Sequence, residues 1–236
     1  MRQFDLIIVA AIILGVALVI GTVALFGARA RKKRTAALQA VAESLGLPFL
    51  AAGDSSIACE LAAFQLFSRG RRQRVTNLIR AETEDIRTAI FDYQYTIGSG
   101  KSKQTIHQTV VSLQAIDLAL PDFSLRPENL LHKIGGWFGY ADIDFADHPV
   151  FSRAFLLRGS NEQAIRRLFA PGVLEYFEQR KGLYVEARGS RFIYYRPRKR
   201  VKPGEVQAWL NDSWTLLQLF RASAATYNRQ DVQDRV

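Results

Sequence analysis

Tyr95 to Thr105, "YTIGSGKSKQT", holds the Gly-Lys-Ser that closes a phosphate-binding loop. The complete loop needs a further glycine five places before Gly100, where this chain has Tyr95, and it must enter a helix whose first N–H groups converge on the phosphates. The residues that follow, "QTIHQTVVSL", are dense in Thr, Ile and Val and predict a strand instead. The two glycines then supply positive φ for a hairpin turn, with Lys101 and Lys103 solvated at its tip. No nucleotide-binding residues are expected.

A second stretch, "ADIDFADHP", sets Asp142, Asp144, Asp147 and His148 close together. Alternate aspartates on a strand share a face and offer hard oxygen ligands, so this is the candidate metal site, and with it a divalent-metal-dependent hydrolase or transferase is the alternative function. The competing reading is a solvated, turn-rich connection, since the calcium-loop spacing and its closing glutamate are absent. The remaining histidines, His107 and His132, fall in other predicted elements without zinc-hydrolase spacing, and no GxSxG elbow accompanies any serine. His107 reads as a polar-face or satisfied core residue. The single cysteine, Cys59, excludes an internal disulfide and a CxxC motif. No cofactor is expected.

Basic residues form three groups. Arg31, Lys32, Lys33 and Arg34 follow the first apolar run, Arg69, Arg71, Arg72 and Arg74 share a predicted turn, and Arg198, Lys199, Arg200 and Lys202 lie in "RPRKRVKP". The first and third groups are the candidates for membrane-surface binding, because a short tether holds them against anionic lipid headgroups at high effective concentration. Nucleic acid is an unlikely partner. Residues 1–34 hold six basic residues and one acidic residue, so half of the net charge of +10 belongs to the anchor rather than to a binding surface.

These groups must be positioned by the rest of the chain. Leu6 to Phe26, "LIIVAAIILGVALVIGTVALF", carries no charge and as a helix spans about 31 Å, close to the thickness of a bilayer core. It reads as an uncleaved anchor rather than a signal peptide, since the run is long for an h-region and "RKKR" follows the small residues at Ala28 and Ala30. The excess of cations after Phe26 predicts a single-pass protein of the inner (cytoplasmic) membrane, N-out and C-in.

Residues 1–34 are thus expected to form the anchor and basic flank, 35–222 one cytosolic α+β domain with an antiparallel sheet packed by helices, and 223–236 a fraying tail. Helices are expected at "TAALQAVAES", continuing from the anchor, and at "DSSIACELAAF", "SNEQAIRRLF" with Ser160 as cap, "PGVLEYFEQR" and "PGEVQAWLNDSWTLLQLF". Strands are expected at "FQLFS", "RVTNLIRA", "IRTAIFDYQYTI", "QTIHQTVVSLQAI", "FSRAFLLR" and, as a hairpin turning at Gly189 and Ser190, "LYVEARGSRFIYYR". In the third strand Phe91, Tyr93 and Tyr95 alternate with Asp92, Gln94 and Thr96, the pattern of a half-buried strand.

The runs "FDYQYTIGSGKSKQTIHQTVV", "LPDFSLRPENL", "DIDF" and "HPVFSRAFLLRG" resemble a group of uncharacterised bacterial proteins, each with one N-terminal membrane span and a cytosolic α+β domain. The resemblance covers most of residues 36–220 and brings no activity, cofactor or binding residue. The function expected from the sequence is a membrane-tethered, non-catalytic binding or scaffolding module, with the bilayer and a protein as its partners.

Overall fold

The computed structural model describes the backbone of residues 2–128 and 141–233, and the side chains of residues 13–128 and 141–224. His132 lies outside the described residues. Helix α1 (Arg2–Ser44) runs unbroken for 43 residues and changes character along its length. Between Ile13 and Phe26 its large apolar side chains are exposed, Leu14 by 72% and Phe26 by 70%. The helix is long and apolar enough to cross a membrane, with a mean hydropathy of 2.0 and no buried residue in its apolar stretch. Farther along, Leu38 and Ala42 are buried in the core. The 34/35 boundary expected from the sequence therefore falls inside one continuous helix.

Among the described residues, eight strands form one sheet: β1 (Phe49–Leu50), β2 (Arg71–Glu82), β3 (Ile86–Ile97), β4 (Gln104–Ala115), β5 (Leu120–Pro127), β6 (Phe155–Gly159), β7 (Tyr184–Gly189) and β8 (Arg191–Tyr195). Their spatial order is β1-β2-β3-β4-β8-β7-β5-β6, with every pairing antiparallel. The remaining helices are α2 (Ser55–Glu60), α3 (Pro149–Ala154), α4 (Glu162–Leu168), α5 (Pro171–Glu178) and α6 (Val206–Gln233).

Helices cover one face, where Phe123, Phe169, Phe177 and Phe220 pack with Leu113 and with Leu38 of α1. On the other face Phe67, Phe91, Tyr93 and Tyr95 form a smaller core with Ile57 of α2. Strand β3 is consequently buried on both sides, not half-buried as its alternation suggests, because the elements that cover its second face come from distant parts of the sequence. Three local expectations also shift. "FQLFS" contains the 3₁₀ turn Gln65–Ser68 rather than a strand. "FSRAFLLR" divides into the end of α3 and strand β6. The cap of α4 is Asn161, whose side chain accepts a hydrogen bond from the Ala164 N–H. At the C-terminal end, α6 extends to Gln233.

Candidate functional site

Strands β2, β3 and β4 place two rows of polar residues side by side on the face that α1 crosses. One row is Thr76, Asp92 and Thr109, and the next is Arg74, Gln94 and His107. Asp92 is the centre of the first. Arg34 grips both of its oxygens, Nε to Oδ2 and Nη2 to Oδ1, each at 2.7 Å. Asn77 Nδ2 donates to Oδ2 at 2.9 Å and the Thr109 hydroxyl donates to Oδ1 at 2.9 Å. Asn77 also accepts a hydrogen bond from the Thr35 hydroxyl, one position along α1. Sheet and anchor helix are thereby joined by a charge-assisted, two-pronged contact rather than by apolar packing alone.

The same network fixes the loop between β8 and α6. Arg34 Nη1 donates to the Val201 carbonyl at 2.8 Å, the Val201 N–H donates to Thr109 Oγ1 at 3.0 Å, and the Thr109 N–H donates to the Lys199 carbonyl at 3.0 Å. Arg200 is held between these two anchored neighbours.

Beneath Arg34, where α1 leaves the sheet, lies a cavity of about 440 Å³ whose lining includes Gly27, Arg31, Arg74, Gln94, His107 and Arg200. Asp92 is the carboxylate in its wall, and it is already neutralised by Arg34. The guanidinium groups of Arg31, Arg74 and Arg200 form no ion pair among the described residues, so the cavity is strongly positive. His107 reports this: partial burial, then the Arg200 and Arg31 guanidinium groups, hold it below the usual histidine pKa range, with Asp92 opposing. The arrangement is suited to attracting and hydrogen-bonding an anion.

The residues singled out from the sequence are distributed differently than expected. Arg31, Lys32 and Lys33 are exposed on α1, and Arg198, Lys199, Arg200 and Lys202 are exposed in the loop. The structure brings Arg31 and Arg200 to one cavity. Arg34 departs from the lipid-facing group, since its side chain is only 14% exposed and is committed to Asp92. Arg71, Arg72 and Arg74 lie in β2 rather than in a turn. Lys101 sits in a single 3₁₀ turn joining β3 to β4, between two strands as the hairpin reading requires.

The aspartate cluster is separated by its local partners. Asp142 Oδ1 accepts the Leu157 N–H at 2.9 Å and runs along the outer side of β6, while His148 Nδ1 faces Glu178 at 3.4 Å. Burial, with Asp144 and Glu128 nearby, pushes the Asp142 carboxyl above the usual range. Asp144 and Asp147 are exposed. Among the described residues no three His, Cys, Asp or Glu side chains gather as metal ligands. Within the expected set, Asp142 is taken up by the Leu157 N–H and His148 faces Glu178, while Asp144 and Asp147 point to solvent.

No family model and no curated protein matches the sequence. The fold is similar to that of the mycobacterial trehalose monomycolate transport factor A, TtfA, in its crystal structure. The TM-score is 0.54 at 12% identity, and the likeness covers 83% of this chain and 94% of the TtfA chain. At that identity the likeness concerns the fold alone.

On the opposite face of the sheet, Glu186 is buried beneath the 3₁₀ turn. The Tyr195 hydroxyl donates to its Oε1 at 3.0 Å and the Leu66 N–H to its Oε2 at 3.4 Å. Burial pushes this carboxyl up, with Arg69 acting against it. Nothing in the sequence pattern singled out Glu186, Asp92, Asn77 or Thr109. The available signal was the run of polar residues at 92, 94 and 96 inside an otherwise apolar strand.

Proposed function

We propose that this protein is a membrane-tethered, non-catalytic binding or scaffolding module, N-out and C-in, whose cytosolic domain rests its basic end on the anionic inner leaflet. The observation that supports this reading is the sorting of charge along the sheet. The start of β2, the β3–β4 hairpin and the β8–α6 loop lie at the same end as the exit of α1, as the pairing of Thr96 with Arg71 and the hydrogen bond from Arg198 Nη1 to Gln104 indicate. That end presents Arg71, Arg72, Lys101, Lys103, Arg198 and Lys199, all exposed. The far end carries Glu82, Glu84, Asp85 and Asp117, of which Glu82 pairs with Arg87 and Asp117 with Arg221. A domain polarised in this way is attracted to an anionic surface by its anchored end far more than by its other end.

TtfA, whose fold is similar, is named as a trehalose monomycolate transport factor. For this chain the corresponding proposal is a part in lipid traffic at the membrane that anchors it, through a lipid or a transport protein held against the domain. Asp92, the carboxylate of the cavity wall, is engaged by Arg34, Asn77 and Thr109 and is not free to act as an acid or base, which favours holding over catalysis. The test is flotation of a soluble form beginning at Gly27, which retains Arg34, with vesicles of phosphatidylglycerol or of phosphatidylcholine. Binding to the anionic vesicles alone, lost on replacing Arg198, Lys199, Arg200 and Lys202 with glutamine, is expected. Equal binding by both forms removes the loop from the surface. In-cell crosslinking of the full chain then identifies any protein partner.

A further inference from the structure

We infer that the cavity at the exit of α1 is a site for the phosphate of a single lipid headgroup, held by Arg31, Arg74, His107 and Arg200. This deepens the membrane-surface reading, on which it rests for the side of the bilayer that supplies the lipid. Four observations meet here. The cavity, at about 440 Å³, has room for a headgroup. Its lining begins at Gly27, the residue directly after Phe26 at the end of the apolar segment, so its mouth lies at headgroup depth. Beside the paired Arg34, its three remaining guanidinium groups come from three separate elements, α1, β2 and the β8–α6 loop, and line it without a carboxylate of their own. The positions are also fixed in advance: Arg74 and His107 flank Gln94 across three paired strands, and Arg200 is pinned by the hydrogen bonds of Lys199 and Val201 to Thr109.

Guanidinium groups crowded around a polar hollow repel one another, and in water that repulsion is relieved by mobile ions. At the bilayer surface the abundant counter-ion is the lipid phosphate diester. It accepts hydrogen bonds from several guanidinium groups at once, which a point cation would not support with the same geometry. Asp92 serves the site indirectly. By consuming Arg34 and being neutralised in return, it fixes the helix above the cavity without lowering the cavity's charge.

The experiment uses the full chain purified in a neutral detergent and observed by native mass spectrometry as phosphatidylglycerol is titrated in. One saturable lipid per protein is expected, with phosphatidylcholine bound more weakly and inorganic phosphate unable to displace the lipid. Arg74→Gln combined with His107→Gln, both on exposed strand positions, is expected to lower the affinity by about tenfold or more. Arg87→Gln, at the far end of the sheet, is expected to leave it unchanged. Saturable binding that persists equally in the double variant overturns the site. Displacement by inorganic phosphate overturns the lipid as its source. Vesicle flotation reports separately on the surface reading: loss of flotation with one lipid still retained would sink that reading and leave the site standing, and the reverse result would sink the site alone.

Discussion

Asp92 and Glu186 are buried carboxylates with opposite settings. Asp92 is matched by a bidentate guanidinium and two neutral donors, so removing its charge leaves Arg34, itself mostly buried, with only neutral partners in Val201 and Thr109. Asp92→Ala is expected to destabilise the domain by about 3 kcal/mol, as for breaking a buried pair on one side, and Arg34→Ala by a similar amount. Urea unfolding of the form beginning at Gly27 measures both, and the double variant should cost less than the sum because the interaction is shared. Glu186 accepts from the Tyr195 hydroxyl and the Leu66 N–H, and burial raises its pKa although the nearby Arg69 charge opposes the shift. A carboxyl whose folded pKa lies above its unfolded value, about 4.3, supports the fold below that value and loses this support as pH rises through the folded pKa. Glu186→Gln keeps the shape and removes the titration. The melting temperature of the wild type minus that of Glu186→Gln should therefore fall between pH 4.5 and pH 7.5, and a difference that is flat with pH would show that Glu186 titrates alike in both states.

The elements were legible where one local rule was sufficient. Strand β3 matches its expected bounds, Ile86–Ile97, because alternation and the turn residues on either side agree. Asp54 or Ser55 could cap the helix that follows them, and it is Asp54 that caps α2, accepting the Ser56 N–H. The reading failed where a distant partner decides the outcome. Gln65–Ser68 has strand-like composition but is bent so that Leu66 can donate to Glu186, 120 residues later. The site was less legible than the fold for the same reason: Arg34, Asp92, Thr109 and Val201 meet only after the sheet has formed, and no spacing in the chain records that meeting. The β3–β4 hairpin allows a graded test of the turn. Gly98 has φ of +70° and a side chain there would run into the Ser102 backbone, whereas Gly100 has φ of +53° with open space around it. Gly98→Ala should cost clearly more than Gly100→Ala, which itself costs about 1–2 kcal/mol for a left-handed backbone. Lys101→Ala should stay within about 0.5 kcal/mol, as a solvated position does. Thermal unfolding of the three variants ranks them, and a large loss for Lys101→Ala would mean that its ammonium is held by something the hairpin alone does not provide.

At the scale of the whole molecule, the question is whether the domain has one posture relative to its anchor. A flexible tether would let a domain tumble, and charge sorting along the sheet would then bias its orientation only weakly. This chain has no such tether. Helix α1 passes from its apolar stretch into the core without a break, and the first contact that locks it, Arg34 with Asp92, lies eight residues after Phe26, about 12 Å along the helix axis. The sheet is therefore oriented by the helix, with the β3–β4 hairpin toward the apolar stretch of α1 and the β2–β3 turn away from it. Strand β3 has 12 residues, so these two turns are separated by about 40 Å, well beyond the depth of a headgroup layer. Replacing Cys59 with serine and introducing a single cysteine at Lys101 or at Asp85 gives two positions for a fluorescent label on the full chain in vesicles. A quencher carried on lipid headgroups should quench the label at 101 strongly and the label at 85 hardly at all. Arg34→Ala, by releasing the helix from the sheet, should bring the two values closer together. Equal quenching at both positions in the otherwise intact chain would show that the domain tumbles on its anchor, and the basic end would then have no fixed relation to the membrane.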